Sequence, residues 1–387
     1  MSELGQFFTE HPVLKQYIKN LSKNKDDLSK KYLEPSCGAG DLLNLFDNPI
    51  TAVEIDKNIK NLTDKQILYQ DFMFYSLENK FDTIYGNPPY LKYDKKWVFD
   101  TCYSSCNMYV YFIEKAFRHL NHKGEIIFVV PRDFLNNTRV GRFREYLLKH
   151  GSITDIIDFQ EHKMFSKSHP HIIIFRYEKG NLEHKTKYTF YQEETMNCKT
   201  FIYNNIYYFF KKVPEHLLSN YFSIKVGLVS GANQIFEHNG LIEQDTINII
   251  CSDYFNTKTK KKYYLTENQE HPVLKIYKDK LINRKIREFG EHNWHEWGAI
   301  RNINFMKEMK GTPCIFVNCK TRKKNPFFID KVDYFDGSML CLIPTQNLNL
   351  EHWRDILNNN DKLFKIQGML VGKRYSFTQK TLSNFRF

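Results

Sequence analysis

The residues best suited to chemistry in this 387-residue chain are Asn87-Pro88-Pro89-Tyr90, directly after the apolar run Thr83-Ile84-Tyr85. An exocyclic amino group such as adenine N6 is a poor nucleophile, because its lone pair is delocalised into the ring. An Asn side-chain oxygen and a backbone carbonyl can each accept a hydrogen bond from such an NH2 group. Together they would draw the nitrogen toward tetrahedral geometry and free the lone pair. Pro88 and Pro89 fix φ and remove backbone donors, which holds the carbonyl in place. Tyr90 offers a ring face on which a base can stack. Taken alone, the same residues also suit a Pro-Pro turn after a strand.

Three motifs precede this one, each at the end of an apolar run. Glu34-Pro35-Ser36-Cys37-Gly38-Ala39-Gly40-Asp41 follows Lys31-Tyr32-Leu33. Gly38 and Gly40 let backbone approach a ligand with no Cβ in the way. The full GxGxxG spacing of a dinucleotide site is absent. Val53-Glu54-Ile55-Asp56 ends the next run, where a carboxylate can accept both hydroxyls of a ribose. Gln70-Asp71-Phe72 ends the third; Asp71 can bond an adenine amino group and Phe72 can cover its ring. A single acidic residue at a strand end is more often a helix cap or an exposed turn. Four motifs at four successive strand ends point to a ligand.

The elements that must position them follow from alternation. Thr51 to Ile55, Gln66 to Tyr69, Glu125 to Val130, Ile153 to Phe159 and Ile172 to Phe175 read as strands, with the runs ending at Leu33 and Tyr85. Helical patterns cover Tyr109 to Leu120 and Val140 to Lys149, and another starts near Leu42. This predicts an α/β fold with a mostly parallel sheet and helices on both faces. Ligands of such sheets bind at the carboxyl ends of the strands.

Composition sets the frame. Residues 1–180 hold 25 Lys+Arg against 23 Asp+Glu, and residues 181–387 hold 31 against 21. A near-neutral half followed by a basic half suggests a reaction module joined to a polyanion-binding module. No apolar run approaches the length of a membrane span, which excludes a helical membrane protein. The eight cysteines include no CxxC pair, so no metal site is expected and a reduced, cytoplasmic setting fits. His292, Trp294, His295 and Trp297 read as an amphipathic surface or a nucleic-acid-facing patch rather than metal ligands.

The order Gly5-Gln6-Phe7-Phe8-Thr9, then Glu34 to Gly40, Glu54, Asp71 and Asn87 to Tyr90, resembles the gamma class of DNA adenine-N6 methyltransferases, the TaqI-like enzymes of restriction–modification systems. The resemblance covers the first half and extends more thinly through Val226 to Asn233 and Gly372 to Phe377. It implies the S-adenosylmethionine-dependent methyltransferase fold, with a mostly parallel seven-stranded sheet. Residues 1–197 would form the catalytic domain and 198–387 a mixed α+β target-recognition domain. The implied cofactor is S-adenosylmethionine. Phe8, Thr9, Glu34 and Ser36 would line its methionine end beside Gly38 and Gly40. Glu54 would hold its ribose, Ile55 its adenine face, and Asp71 and Phe72 the adenine edge and ring. Asn87 and Pro89 would bridge cofactor and base, with Pro88 and Tyr90 completing the catalytic loop. A flipped-out adenine would stack on Tyr90 and, from the other side, on Phe165.

The implied partner is double-stranded DNA, approached as a monomer, with a separately encoded restriction endonuclease as a further partner of the system. Candidate phosphate contacts are Lys260, Lys261, Arg284, Arg287, Arg322, Lys323, Lys373 and Arg374, because basic runs concentrate there. The competing readings are cytosine-N4 methylation, methylation of an RNA base or a glutamine amide, and a non-catalytic DNA-binding protein with a methylase-like domain.

Overall fold

A computed structural model describes residues 9–92, 106–166, 170–212, 214–238, 240, 245–265 and 270–387. The chain divides into two compact units, Met1–Val213 and Pro214–Phe387.

The first unit is built on one ten-stranded sheet. Its strands are β1 (Tyr32–Glu34), β2 (Ile50–Glu54), β3 (Ile67–Tyr69), β4 (Phe81–Gly86), β5 (Leu120–Pro131), β6 (Gly151–Asp158), β7 (Ile172–Lys179), β8 (Lys185–Phe190), β9 (Thr195–Tyr203) and β10 (Ile206–Phe210). Their order is β10-β9-β8-β6-β7-β5-β4-β1-β2-β3. All seven strands expected from the sequence form, and the run β3-β2-β1-β4-β5 is parallel throughout. Strand β7 then runs antiparallel between β5 and β6. Strands β8, β9 and β10 lengthen the sheet beyond the expected seven.

Burial explains why these runs are strands. From Gly124 to Val130 every residue of β5 is buried, as is Ile172 to Tyr177 of β7. Near-continuous β-branched runs of this kind fit strands covered on both faces. Helix α1 (Pro12–Leu21) starts with Pro12 in its first turn and the His11 ring accepting from the Val13 N–H. It buries Leu14 and Ile18, one helical turn apart, against Tyr32, Ile127 and Ile174. Helix α2 (Met108–His119) is capped by the Asn107 side chain and is buried almost all round. Helix α3 (Gly141–His150) packs on β6.

Two expectations change here. The helix expected from Leu42 is only a short 3-10 turn, Leu43–Leu45. Asn48-Pro49 follows at once, and a residue before proline is driven out of the α region. The expected domain boundary at 197/198 falls inside β9, which pairs with β8 and β10. Cutting there would break both ladders, so the division lies at 213/214. Recounted at that point, the first unit carries 30 Lys+Arg against 26 Asp+Glu and the second 26 against 18. The charge contrast survives in reduced form.

The second unit is mixed α+β. Strands β11 (Phe222–Val226), β12 (Thr246–Ile249), β13 (Lys261–Tyr264), β14 (Pro313–Asn318), β15 (Lys320–Thr321), β16 (Phe328–Lys331), β17 (Met339–Pro344), β18 (Leu370–Val371) and β19 (Arg374–Ser376) form three small sheets. One core gathers Tyr264, Trp294, Trp297 and Phe316; another gathers Trp353, Phe364 and Phe385. No helix among the described residues is long and apolar enough to cross a membrane.

Candidate active site

Because β1, β2, β3 and β4 are parallel neighbours, their carboxyl ends share one edge. Glu34 ends β1, Glu54 ends β2, Asp71 follows β3 by two residues and Asn87 follows β4 directly. The loops then tie themselves together. Glu54 Oε2 accepts from the Gly38 N–H at 2.8 Å, while Oε1 accepts from the N–H groups of Ile55 and Asp56 at 3.0 and 2.9 Å. Ser36 Oγ donates to the Asn87 carbonyl at 3.4 Å. Asn87 Nδ2 donates to Thr9 Oγ1 at 3.1 Å, which fixes the direction of its amide. The glycine loop needs its glycines: Gly38 and Gly40 have φ of +55° and +94°, and a Cβ on Gly40 would sit 2.7 Å from Thr63 Cγ2.

Glu34 is the least satisfied group at this edge. Its carboxyl is 2% exposed and Oε2 has no hydrogen-bond partner among the described residues. Burial, and then the nearby carboxylates of Asp41 and Glu54, push it well above the usual carboxylate range. A cationic ligand group beside it would reverse that shift. S-adenosylmethionine carries an ammonium and a sulfonium, so the residues present fit it. Glu54 fits with a restriction. Three backbone N–H groups already occupy its oxygens, and a carboxylate has about four acceptor sites. It has room for one ribose hydroxyl, not the expected pair. Ile55 is 51% exposed and can offer a face. Asp71 accepts from the Met73 N–H through Oδ1 at 2.8 Å, capping the 3-10 turn Phe72–Phe74.

Phe72 departs from expectation. It is 2% exposed, with Phe112 and His119 packed against it. Its ring belongs to the core rather than to an open ligand face; Phe74, two residues on, is the exposed ring of this turn. Phe8 lies outside the described residues. Cys37 is buried, and burial raises its thiol pKa, as suits a packing residue.

Tyr90 and Phe165 do come together, with ring centroids 6.4 Å apart and planes at 75°. Edge-to-face packing leaves no slot for a base, so stacking between them requires one ring to turn. Tyr90 also packs edge-on to Tyr109 and donates to the Val129 carbonyl at 3.1 Å. Beside Phe165 opens a cleft of about 290 Å³ lined by Glu10, His11, Lys163, Met164, Phe165 and Ser166.

Two supporting groups were missed from sequence. Tyr109 Oη donates to Asp133 Oδ1 at 2.9 Å, under Tyr90. Lys115, buried on α2, donates to the carbonyls of Met73 and Tyr75 at 2.5 and 2.8 Å, pinning the turn that follows Asp71. Its signal in the sequence was weak, because Glu114, Arg118 and His119 make a charged residue in this helix unremarkable.

The expected DNA contacts divide sharply. Arg284 is 8% exposed and gives its donors to the carbonyls of Leu281, Ser230, Trp294 and Glu296. Its guanidinium lies 3.8 Å from the Phe289 ring centroid, and burial lowers its pKa to about 10. It is a strut of the second unit, not a phosphate contact. Trp294 and Trp297 are core residues, which corrects the surface-patch reading; His295 is buried and His292 exposed. Lys260 pairs with Asp333 at 2.5 Å, Lys261 with Glu237 and Asp253, and Arg287 with Glu296. Arg322, Lys373 and Arg374 are exposed, and pairing of β15 with β19 brings their segments together. No cluster of His, Cys, Asp or Glu among the described residues could hold a metal ion.

The sheet order and its strand-end loops define an S-adenosylmethionine-dependent methyltransferase fold. Residues 7–165 match the family model described as Eco57I restriction-modification methylase. Type II methyltransferase M.HindII of Haemophilus influenzae is 26% identical over 469 aligned residues, spanning 99% of this chain and 89% of that protein. M.AccI of Acinetobacter calcoaceticus is 29% identical over 41% of this chain and 34% of its own. Among solved structures, the type IIL restriction-modification enzyme MmeI in complex with DNA matches 97% of this chain and 64% of its own, with a TM-score of 0.61 at 13% identity; at that identity the likeness is one of fold. Residues 7–165 thus match a restriction-modification methylase domain, and the chain as a whole is similar to type II DNA methyltransferases; the cofactor this fold and domain match imply is S-adenosylmethionine.

Proposed function

We propose that this protein is a site-specific DNA adenine-N6 methyltransferase of the gamma order, acting on an adenine flipped out of duplex DNA. The carrying observation is the convergence of Thr9, Ser36 and Asn87 on one another, next to the unsatisfied Glu34. When bound, S-adenosylmethionine supplies an electrophilic methyl group. The chain's own residues do the rest by orientation. Thr9 holds the Asn87 amide, so that its oxygen and the fixed Pro88 carbonyl can accept from one amino group. Tyr90 stacks on the base, and Phe165 turns to cover the other face. The amino proton is lost after attack, since a methylated ammonium-like nitrogen is strongly acidic.

Residues 1–213 serve as the cofactor-binding and catalytic unit, and residues 214–387 as the target-recognition unit. The enzyme acts as a cytoplasmic monomer beside a separately encoded endonuclease. The test is transfer of a tritiated methyl group to duplex DNA, followed by nucleoside analysis. N6-methyladenine at one sequence, lost in Asn87→Ala, is the expected result. N4-methylcytosine alone would overturn the choice of base, and no transfer to DNA would overturn the whole reading.

A further inference from the structure

Four of the eight expected basic residues of the second unit, Lys260, Lys261, Arg284 and Arg287, are spent inside it, whereas Lys323 lies beside a further lysine, Lys258, over an aromatic ring. Lys258 and Lys323 come from separate basic runs and meet at one aromatic residue. Lys323 Nζ lies 4.0 Å from the Phe255 ring centroid and donates to Asn256 Oδ1. Lys258 Nζ lies 5.8 Å from the same centroid, 4.9 Å from that of Phe328 and 5.5 Å from that of Tyr254. Among the described residues, neither ammonium has a carboxylate within ion-pair distance. Asp330, next to Tyr254, accepts from the tyrosine hydroxyl instead.

The arrangement is held against two costs. Lys258 sits at φ +53°, a left-handed conformation uncommon for a residue with a side chain. Two like charges also lie against one ring, close enough for each to feel the other. Burial and then the Lys258 charge both hold the Lys323 ammonium below its ordinary pKa. An aromatic floor with two converging, uncompensated cations is complementary to a compact anion that accepts from both.

We propose that Lys258, Lys323 and Phe255 form a seat for one backbone phosphate of the DNA. This rests on the reading of DNA as substrate. It also distinguishes these lysines from Lys260, Lys261 and Arg287, whose charges are already paired within the unit.

The test is binding of a fluorescent duplex to the full chain across a salt series. Each phosphate contact removed lowers the slope of log K against log salt by about one. Because both lysines serve one phosphate, K258Q and K323Q should each lower it by up to about one, and the double variant by about one in all. K258R/K323R, which keeps the charges, should restore most of it. Inorganic phosphate should raise the Tm of the wild type more than that of the double glutamine variant. A folded double glutamine variant with the full slope would overturn the seat while leaving the DNA reading intact. A wild type with no salt-dependent DNA binding would overturn both.

Discussion

In the first unit, Thr9 and Ser36 each hydrogen-bond Asn87, and Gly38 hydrogen-bonds Glu54, across loops far apart in sequence. In the second, Lys260, Lys261, Arg284 and Arg287 are each tied to their own fold. The difference lies in what a motif demands. A catalytic loop needs residue type, spacing and backbone conformation together, so few other sequences satisfy it. A basic run needs only charge, and charge serves a salt bridge or a buried strut as readily as a phosphate.

The largest expected effect tests the first half of that contrast. Asn87→Ala removes one preorganised acceptor and the anchor to Thr9, and should lower methyl transfer by about 10²- to 10³-fold. A loss under about threefold in single-turnover rate would mean that the backbone carbonyl suffices. The second half is tested by Arg284→Met, which leaves the Leu281, Ser230, Trp294 and Glu296 carbonyls without this donor. Urea unfolding should show a loss of about 3 kcal/mol or more. The DNA salt slope of the folded fraction should not change. A stable R284M variant with weakened DNA binding would return Arg284 to the surface role expected from sequence.

Phe165→Ala should act more mildly. Base–aromatic stacking contributes about 1–3 kcal/mol, so transfer should fall about tenfold at the lower part of that range. Fluorescence of 2-aminopurine at the target should then report a base that is flipped but poorly covered. Unchanged transfer would leave Tyr90 as the only stacking partner.

The strand-end motifs were legible because a parallel sheet converts sequence order into spatial adjacency: Glu34, Glu54, Asp71 and Asn87 had to share an edge once their strands were parallel. Phe165 was placed beside Tyr90 by resemblance, and its edge-on packing could not be read from spacing. Phe72 was misjudged because an aromatic after a strand serves a core as well as a ligand; only Phe112 and His119 decide it. The tryptophans at 294 and 297 were misread because their polar neighbours suggested a surface, whereas the core they fill comes from Tyr264 and Phe316, distant in sequence. Of the extension by β8 to β10, β10 and the end of β9 were hidden in the stretch from 198 read as the start of a new domain, and β8 lay where no strand was expected.

Lys115 gives the finest test, because it links the core of the first unit to its site. Burial, opposed by Asp71 and aided by Arg118, lowers its pKa to about 8. The unfolded chain holds a lysine proton up to about pH 10.4. Between those values the unfolded state binds more protons, so this group's contribution makes stability rise with pH and fall again on acidification toward pH 8. The Tm difference between wild type and Lys115→Met should therefore shift in favour of wild type from pH 8 to pH 10. Parallel curves would mean that the lysine does not titrate there. The same variant loses the bonds to Met73 and Tyr75, which loosens the turn beside Asp71. Cofactor KM should rise about threefold to tenfold, the worth of roughly one hydrogen bond, with kcat nearly unchanged. A fall in kcat at constant KM would instead place Lys115 on the side of the base, because a turn that serves only the cofactor cannot slow a saturated enzyme.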